Sequence, residues 1–268
     1  MVHTRLLSIA AGVTPELNED PARFVDAAGA AGWPATGIWY DAGSWTDRTT
    51  SQVRQRLDEH GLVALDMEVV RMGPDGDSGD ALVDAAIGLG ARNILTISSF
   101  EDAAETADRF VELCQRAAPA GIRVCIEFMR FTRVRTLADA LNVVRIADQP
   151  NAGILVDLLH VVRSGTTFAE IAAADPGLFP YAQWCDGPAD PSGWDTSEII
   201  ADALDARRVP GEGELQVRAF ERLFASSVPF SLEVRSKALR ELFPDPVDRA
   251  RRLLAGTRAA LKTAGAVD

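Results

Sequence analysis

The sequence predicts an α/β fold, a single (β/α)8 TIM barrel spanning residues 1–268. Three observations lead there. Eight short β-rich runs recur along the chain, each followed by a helical pattern. The units repeat every 30 or so residues with no Pro/Ser-rich linker between them, at a total length usual for a one-domain barrel, about 250 residues. The first run also lacks the Gly-rich phosphate turn that opens a doubly wound sheet.

The elements follow in order. RLLSIAA (5–11) precedes the helical pattern PARFVDAAGAAG, and TGIWYDA (36–42) precedes TSQVRQRLDEHG. VALDMEV (63–69) leads to an alanine-rich helical run, and RNILTIS (92–98) leads to AAETADRFVELCQRAAPAG. RVCIEFM (123–129) is followed by TLADALNVVRIAD; AGILVDL (152–158), PYAQWCD (180–186) and FSLEVRS (230–236) complete the set. Gly32, Gly61, Gly90 and Gly121 stand where helices must stop, as expected of left-handed C-terminal caps. PVDRARRLLAGTRAALKTAG would close the outer ring of helices. The stretch 186–216 reads as a long loop on the C-terminal face, with PGEG as a turn that starts the seventh helix at Glu214.

Composition narrows the function. A formal charge of −12 opposes binding to a phosphate backbone, so nucleic acid is not an expected partner. No apolar stretch approaches the roughly 18 residues of a membrane span, and the N-terminal apolar run is too short for a signal peptide. A cytoplasmic location is the resulting expectation. Cys114, Cys125 and Cys185 are odd in number and lack CxxC spacing, which predicts reduced core residues rather than disulfides or a zinc knuckle.

In a parallel barrel the chemistry sits at the C-terminal ends of the strands. Glu127 in CIEFM, Asp157 in LVDLLH, Gln183 in YAQWCD and Glu233 in SLEVR occupy such positions on four successive runs. Three carboxylates brought to one centre repel one another and lose their hydration unless a cation compensates them. A divalent metal bound by Glu127, Asp157, Gln183 and Glu233 answers this. An all-oxygen set suits Mn2+ or Mg2+, with Co2+ and Zn2+ as the other candidates.

The motifs CIEF, NAGILVDLLHVVRSG, YAQWCD, RRVPGEGE and SLEV resemble those of the sugar phosphate isomerase/epimerase family, which has the xylose isomerase-like TIM barrel and includes hydroxypyruvate isomerase, ketose 3-epimerases and inosose dehydratase. The resemblance implies metal ligands at Glu127, Asp157 and Glu233, with Gln183 where most epimerases carry His. It implies that His160, three residues beyond Asp157, contacts substrate oxygens beside the metal. The other reading of His160 is a core histidine bonded to backbone.

The implied activity is that of a metal-dependent isomerase or epimerase acting on a keto-sugar or related hydroxy-carbonyl compound through an enediolate, with Glu127 and Glu233 as acid and base. The alternatives are a dehydratase of a keto-sugar or keto-cyclitol, and a non-catalytic sugar-binding subunit. The expected partner is a small carbohydrate or keto-acid, and family members often form homo-oligomers.

Arg207 and Arg208 can orient a hydroxyl or carboxylate, or form a solvated pair. Trp194, in a polar loop, is a lid candidate for substrate binding, whereas Trp39 and Tyr40 read as barrel packing. Glu68 can face the site or pair with Arg71 or Arg92.

Overall fold

The structure, a computed structural model, describes residues 5–76, 79–189 and 193–262. Eight parallel strands close into a barrel in sequence order, β8 returning to pair with β1. They are β1 Leu7–Ile9, β2 Ala35–Trp39, β3 Val63–Met72, β4 Asn93–Ser98, β5 Arg123–Glu127, β6 Ala152–Asp157, β7 Ala182–Gln183 and β8 Phe230–Leu232. Each overlaps its predicted run, but β2 starts one residue before its run, β3 extends three residues beyond its run, and β1, β7 and β8 are much shorter than theirs. Glu233 therefore lies one residue beyond β8.

The helices around the sheet are α1 Pro21–Ala31, α2 Asp47–His60, α3 Asp80–Leu89, α4 Ala103–Ala117, α5 Leu137–Ala147, α6 Leu158–Ser164, α7 Phe168–Ala173, α8 Thr196–Asp205, α9 Val217–Glu221, α10 Lys237–Leu242 and α11 Pro246–Lys262. Their sequences carry their own start and stop signals. Thr46 and Thr136 cap α2 and α5 reciprocally with the residues three positions on. Gly32, Gly61 and Gly90 end α1, α2 and α3 at positive φ, where a side chain would be strained. Gly121 does the same, but after the short 3-10 turn that follows α4.

Two apolar layers result from strand alternation. Ala35, Leu65, Leu95, Cys125, Leu155 and Tyr181 fill the lower barrel interior, so the barrel is packed rather than hollow. The larger core lies between strands and helices; α4 contributes Phe110, Leu113, Cys114 and Ala117, the i, i+3, i+4, i+7 stripe of an amphipathic helix. All three cysteines are buried and free. Among the described residues no helix is long and apolar enough to cross a membrane.

The segment after β7 departs from the sequence expectation. It is not one long loop, because α8 occupies its middle, capped by Asp195 and Glu198. The helix expected at Glu214 begins at Val217 instead. The PGEG turn is organised by the buried Asp186 carboxylate, which accepts from the backbone N–H groups of Gly187, Gly211 and Leu215 at 2.8–2.9 Å. A Cβ at Gly213 would stand 2.3 Å from Asp186 Oδ1, so only glycine lets the turn close on that carboxylate.

Candidate active site

Glu127, Asp157 and Gln183 are the last residues of β5, β6 and β7, and Glu233 follows β8. Parallel strands in one barrel aim these ends at one point. All four residues are at least nine-tenths buried. One carboxylate oxygen from each of Glu127, Asp157 and Glu233 lies within 4.8 Å of the others. The terminal amide atom of Gln183 facing them sits 3.2 Å from Glu127 Oε1, 3.3 Å from Asp157 Oδ2 and 3.2 Å from Glu233 Oε2. As a nitrogen, that atom donates to the three oxygens; as an oxygen, it completes a four-oxygen cage for a cation. The donor set fits a divalent metal, and Glu127, Asp157, Gln183 and Glu233 are the residues that would hold it.

A second positive group is built in. Arg207, 2% exposed, donates from Nη1 to Asp157 Oδ2 at 2.6 Å, and its Nη2 pairs with Glu233 Oε2 at 2.9 Å. Its Nε donates to the Ala203 carbonyl in α8 at 2.9 Å. The guanidinium thus compensates two of the three carboxylates. Burial raises Asp157, but the adjacent guanidinium and the bond from the His160 N–H outweigh it and hold Asp157 below the usual carboxylate range. Burial, reinforced by the charges of Glu233 and Asp157, pushes Glu127 well above that range. Burial also raises Glu233, against the opposing pull of Arg207.

The short helix α6 begins directly at Asp157, whose Oδ1 accepts from the His160 backbone N–H at 3.1 Å, and this cap fixes both side chains relative to each other. His160 Nε2 lies 3.3 Å from Arg207 Nη2 and 3.9 Å from Glu127 Oε1, and its ring meets Phe131 edge-on. A guanidinium can only donate, so Nε2 accepts and Nδ1 carries the proton. Burial lowers the His160 pKa to about 4, with Arg207 and Arg163 acting in the same sense and Asp157 opposing. The imidazole is neutral at pH 7.

Glu127, His160, Arg207 and Glu233 face a cavity of about 140 Å3, also lined by Trp39, Glu68, Arg71 and Arg235. At 10–15 Å3 for each water this is room on the order of ten waters, the size of a small polyol. Trp39, read from the sequence as packing, is on this wall; Tyr40 instead stacks on Trp45. Trp184 is core, packed on Phe230.

The remaining site candidates lie elsewhere. Arg208 is exposed, and its backbone bridges Asp186. Trp194 lies under the Arg163 guanidinium at 5.3 Å, and neither residue lines this cavity.

Two acidic residues of β3 add to the site, Asp66, which the sequence does not single out, and Glu68, for which it gives facing the site as one of two readings. Asp66 is wholly buried, with neither carboxylate oxygen hydrogen-bonded to any described residue, and burial together with the charge of Glu233 raises its pKa to about 7. Glu68 is 4% exposed and faces the cavity. A shift in the β2–β3 register between Thr36 and Gly37 disturbs the alternation from which their facing could have been read.

Comparison with known proteins agrees with this architecture. A family model described as xylose isomerase-like TIM barrel matches residues 23–259. Sequence comparison with curated proteins gives no match. Among solved structures, the IolI protein, whose crystal structure has a binding zinc atom, superposes with a TM-score of 0.78 at 17% identity, covering 95% of this chain and 96% of that one. D-allulose 3-epimerase from Methylomonas sp., in complex with D-allulose, gives 0.67 at 17% identity, covering 96% and 98%. A xylose isomerase-like TIM barrel/4-hydroxyphenylpyruvate dioxygenase fusion protein gives 0.78 at 21% identity; it covers 98% of this chain, which spans only 44% of the fusion's length. At these identities the likeness establishes the shared fold.

Proposed function

The chain belongs to the xylose isomerase-like TIM barrel family, and on that premise we propose that it is a divalent-metal-dependent isomerase or epimerase that moves a proton next to the carbonyl of a small keto-sugar or related hydroxy-carbonyl compound. The observation that carries this reading is the convergence of Glu127, Asp157 and Glu233 within 4.8 Å at the mouth of the barrel, beside a cavity of polyol size. These residues and Gln183 would hold a cation, which would supply electrostatic stabilisation to the negative charge left when the proton departs.

The chain's own groups do the rest. Glu127 and Glu233 both line the cavity, so one can take the C–H proton and the other return it. Return to a neighbouring carbon isomerises the substrate; return to the same carbon from the other face epimerises it. Arg207 stays charged and offers its guanidinium to substrate oxygens, and the neutral His160 can hydrogen-bond a hydroxyl without adding charge. The apolar wall of Val69, Leu95 and Ile97 limits water around the reacting carbon. Arg208 and Trp194 have no role in this proposal. The position of Glu68 favours a second outcome, elimination of a hydroxyl.

The test is proton NMR in D2O on the metal-loaded protein with a panel of ketoses and keto-acids. Deuterium should enter beside the carbonyl with the wild type, and Glu233→Gln should abolish that while retaining ligand binding. An unchanged exchange rate in Glu233→Gln would remove Glu233 from the reaction.

A further inference from the structure

Helix α8 leads directly to Arg207, yet little apolar surface holds it in place. Of its ten residues only Ile199, Asp202 and Ala203 are buried. Asp202 thus stands on the inward face, three residues after Ile199, where an amphipathic helix calls for an apolar side chain. Its partner is Arg163 of α6, equally buried, whose Nε donates to Asp202 Oδ2 at 2.8 Å. The same guanidinium donates from Nη2 to the Pro188 carbonyl at 2.8 Å and lies over the ring of Trp194. One side chain of α6 therefore ties down three points of the segment that follows β7. Stability does not account for the pair, because Arg163 Nη1 and Asp202 Oδ1 are buried with no hydrogen-bond partner among the described residues. A buried ion pair that leaves polar atoms unmet recovers little of the hydration its charges lose, and apolar side chains of similar volume often stabilise such positions as well or better. What the pair supplies is a fixed direction.

From this pair the contacts close a circuit through the cavity wall. The Asp202 carbonyl accepts from the Ala206 N–H at 3.1 Å, and the carbonyl of Ala203 accepts from Arg207 Nε at 2.9 Å. Arg207 then reaches back to Asp157 and His160, which stand six and three residues before Arg163 at the start of the same helix α6. We propose that Arg163 and Asp202 are positioning residues, which fix α8 against α6 and so hold the Arg207 guanidinium in the orientation that meets substrate oxygens. The inference rests on the substrate-binding role given to Arg207 above. The Arg207 backbone N–H is held separately, by the Arg235 carbonyl at 3.1 Å, so loss of the pair frees the side chain and not the main chain. A guanidinium that must be ordered on each encounter weakens binding, and the effect falls on KM more than on kcat.

The experiment combines Arg163→Met with Asp202→Leu in the full chain, an apolar pair that keeps the packing and removes the tie. Arginine Nε–H resonances of the metal-free protein are followed by NMR, the Arg207 signal being the one lost in Arg207→Lys. In the wild type that proton should be protected from solvent exchange; in the apolar-pair variant it should exchange about tenfold faster or more. Arg249 Nε–H, which donates to the Phe243 carbonyl at 3.0 Å on another part of the barrel, should be unchanged. Asp202→Asn, which keeps an acceptor oxygen for Arg163, should restore most of the protection. With fructose as the probe and Mn2+ bound, KM of the apolar-pair variant should rise on the order of tenfold while kcat stays within about threefold. Asp202→Ala takes the place of the double variant if that one fails to fold. Unchanged Arg207 exchange in a folded variant would overturn the proposal, as would an unprotected Arg207 signal in the wild type. Equal acceleration at Arg207 and Arg249 would overturn it too, since that is general loosening. The exchange arm needs neither metal nor substrate, so it decides whether the pair holds Arg207 even where fructose is not turned over and the isomerase reading fails.

Discussion

Arg207 Nη1 donates to Asp157 Oδ2 at 2.6 Å, and Asp157 Oδ2 is also one of the oxygens that Gln183 faces. The guanidinium and a bound cation therefore draw on the same oxygen. The first prediction follows from this competition. In the metal-free protein Arg207→Ala leaves buried carboxylates without their counter-charge, and breaking such a pair costs about 3–5 kcal/mol. The same substitution removes a rival cation, so affinity for Mn2+ should rise by about tenfold or more. Thermal melts in EDTA and calorimetric Mn2+ titration check both halves. A variant that loses stability without gaining metal affinity would show that Arg207 and the metal do not share these oxygens.

In the proposed metal site, Gln183 sets the metal preference. Its neutral amide oxygen among carboxylates gives a hard, all-oxygen cage, whereas an imidazole adds a nitrogen donor that favours Zn2+ over Mg2+ or Mn2+. Gln183→His should shift the preference from Mn2+ toward Zn2+. Competition dialysis followed by elemental analysis measures it, and an unaltered metal ratio would place the residue outside the coordination shell.

Asp66 predicts a pH dependence. Its folded pKa is about 7 against about 3.8 for the ordinary group. Between those values the native chain holds a proton that the unfolded chain has released, so stability falls as pH rises from about 4 through 7. At 1.36 kcal/mol for each unit the whole effect is on the order of 4 kcal/mol, as an upper figure. Asp66→Asn carries no titrating group and should lose that slope, becoming more stable than the wild type at pH 8. Urea melts of the metal-free proteins across this range test it; parallel wild-type and variant profiles would show that Asp66 ionises alike in both states.

The barrel was legible because its evidence is repeated. Eight apolar runs with helices between them reinforce one another even where a single boundary is wrong, as with β7, seven residues in the pattern and two in the sheet. Glu127, Asp157 and Gln183 were legible as polar residues embedded in such apolar runs. Helix α8 was written in DTSE, an acidic relative of the capping-box signal, and was obscured by the Gly and Pro on both sides of it. Glu68 was read as facing the site or pairing with an arginine, but the facing of Asp66 was not legible, since a register shift set by the neighbouring strand alters the two-residue period. The choice between adjacent Arg207 and Arg208 was equally closed to sequence. It depends on the Arg207 N–H donating to the Arg235 carbonyl while Arg208 bridges Asp186, contacts made across the fold.

That last distinction gives the final prediction. Arg208 pairs with Asp186 through backbone groups, N to O at 2.8 Å in both directions, and its side chain lies at the surface. Arg208→Ala preserves those bonds, so stability should stay within about 0.5 kcal/mol and kcat/KM within about twofold. Arg207→Lys keeps the charge one position away but replaces a planar fork with a single ammonium. The fork reaches Asp157, Glu233 and the Ala203 carbonyl from three different nitrogens. One nitrogen cannot occupy those three positions, so Arg207→Lys should lower both stability and substrate affinity although the formal charge is unchanged. Melting temperature and KM for the two variants, measured side by side, separate a requirement for geometry from one for charge. If Arg207→Lys behaves like the wild type, the site needs only a positive charge at that point.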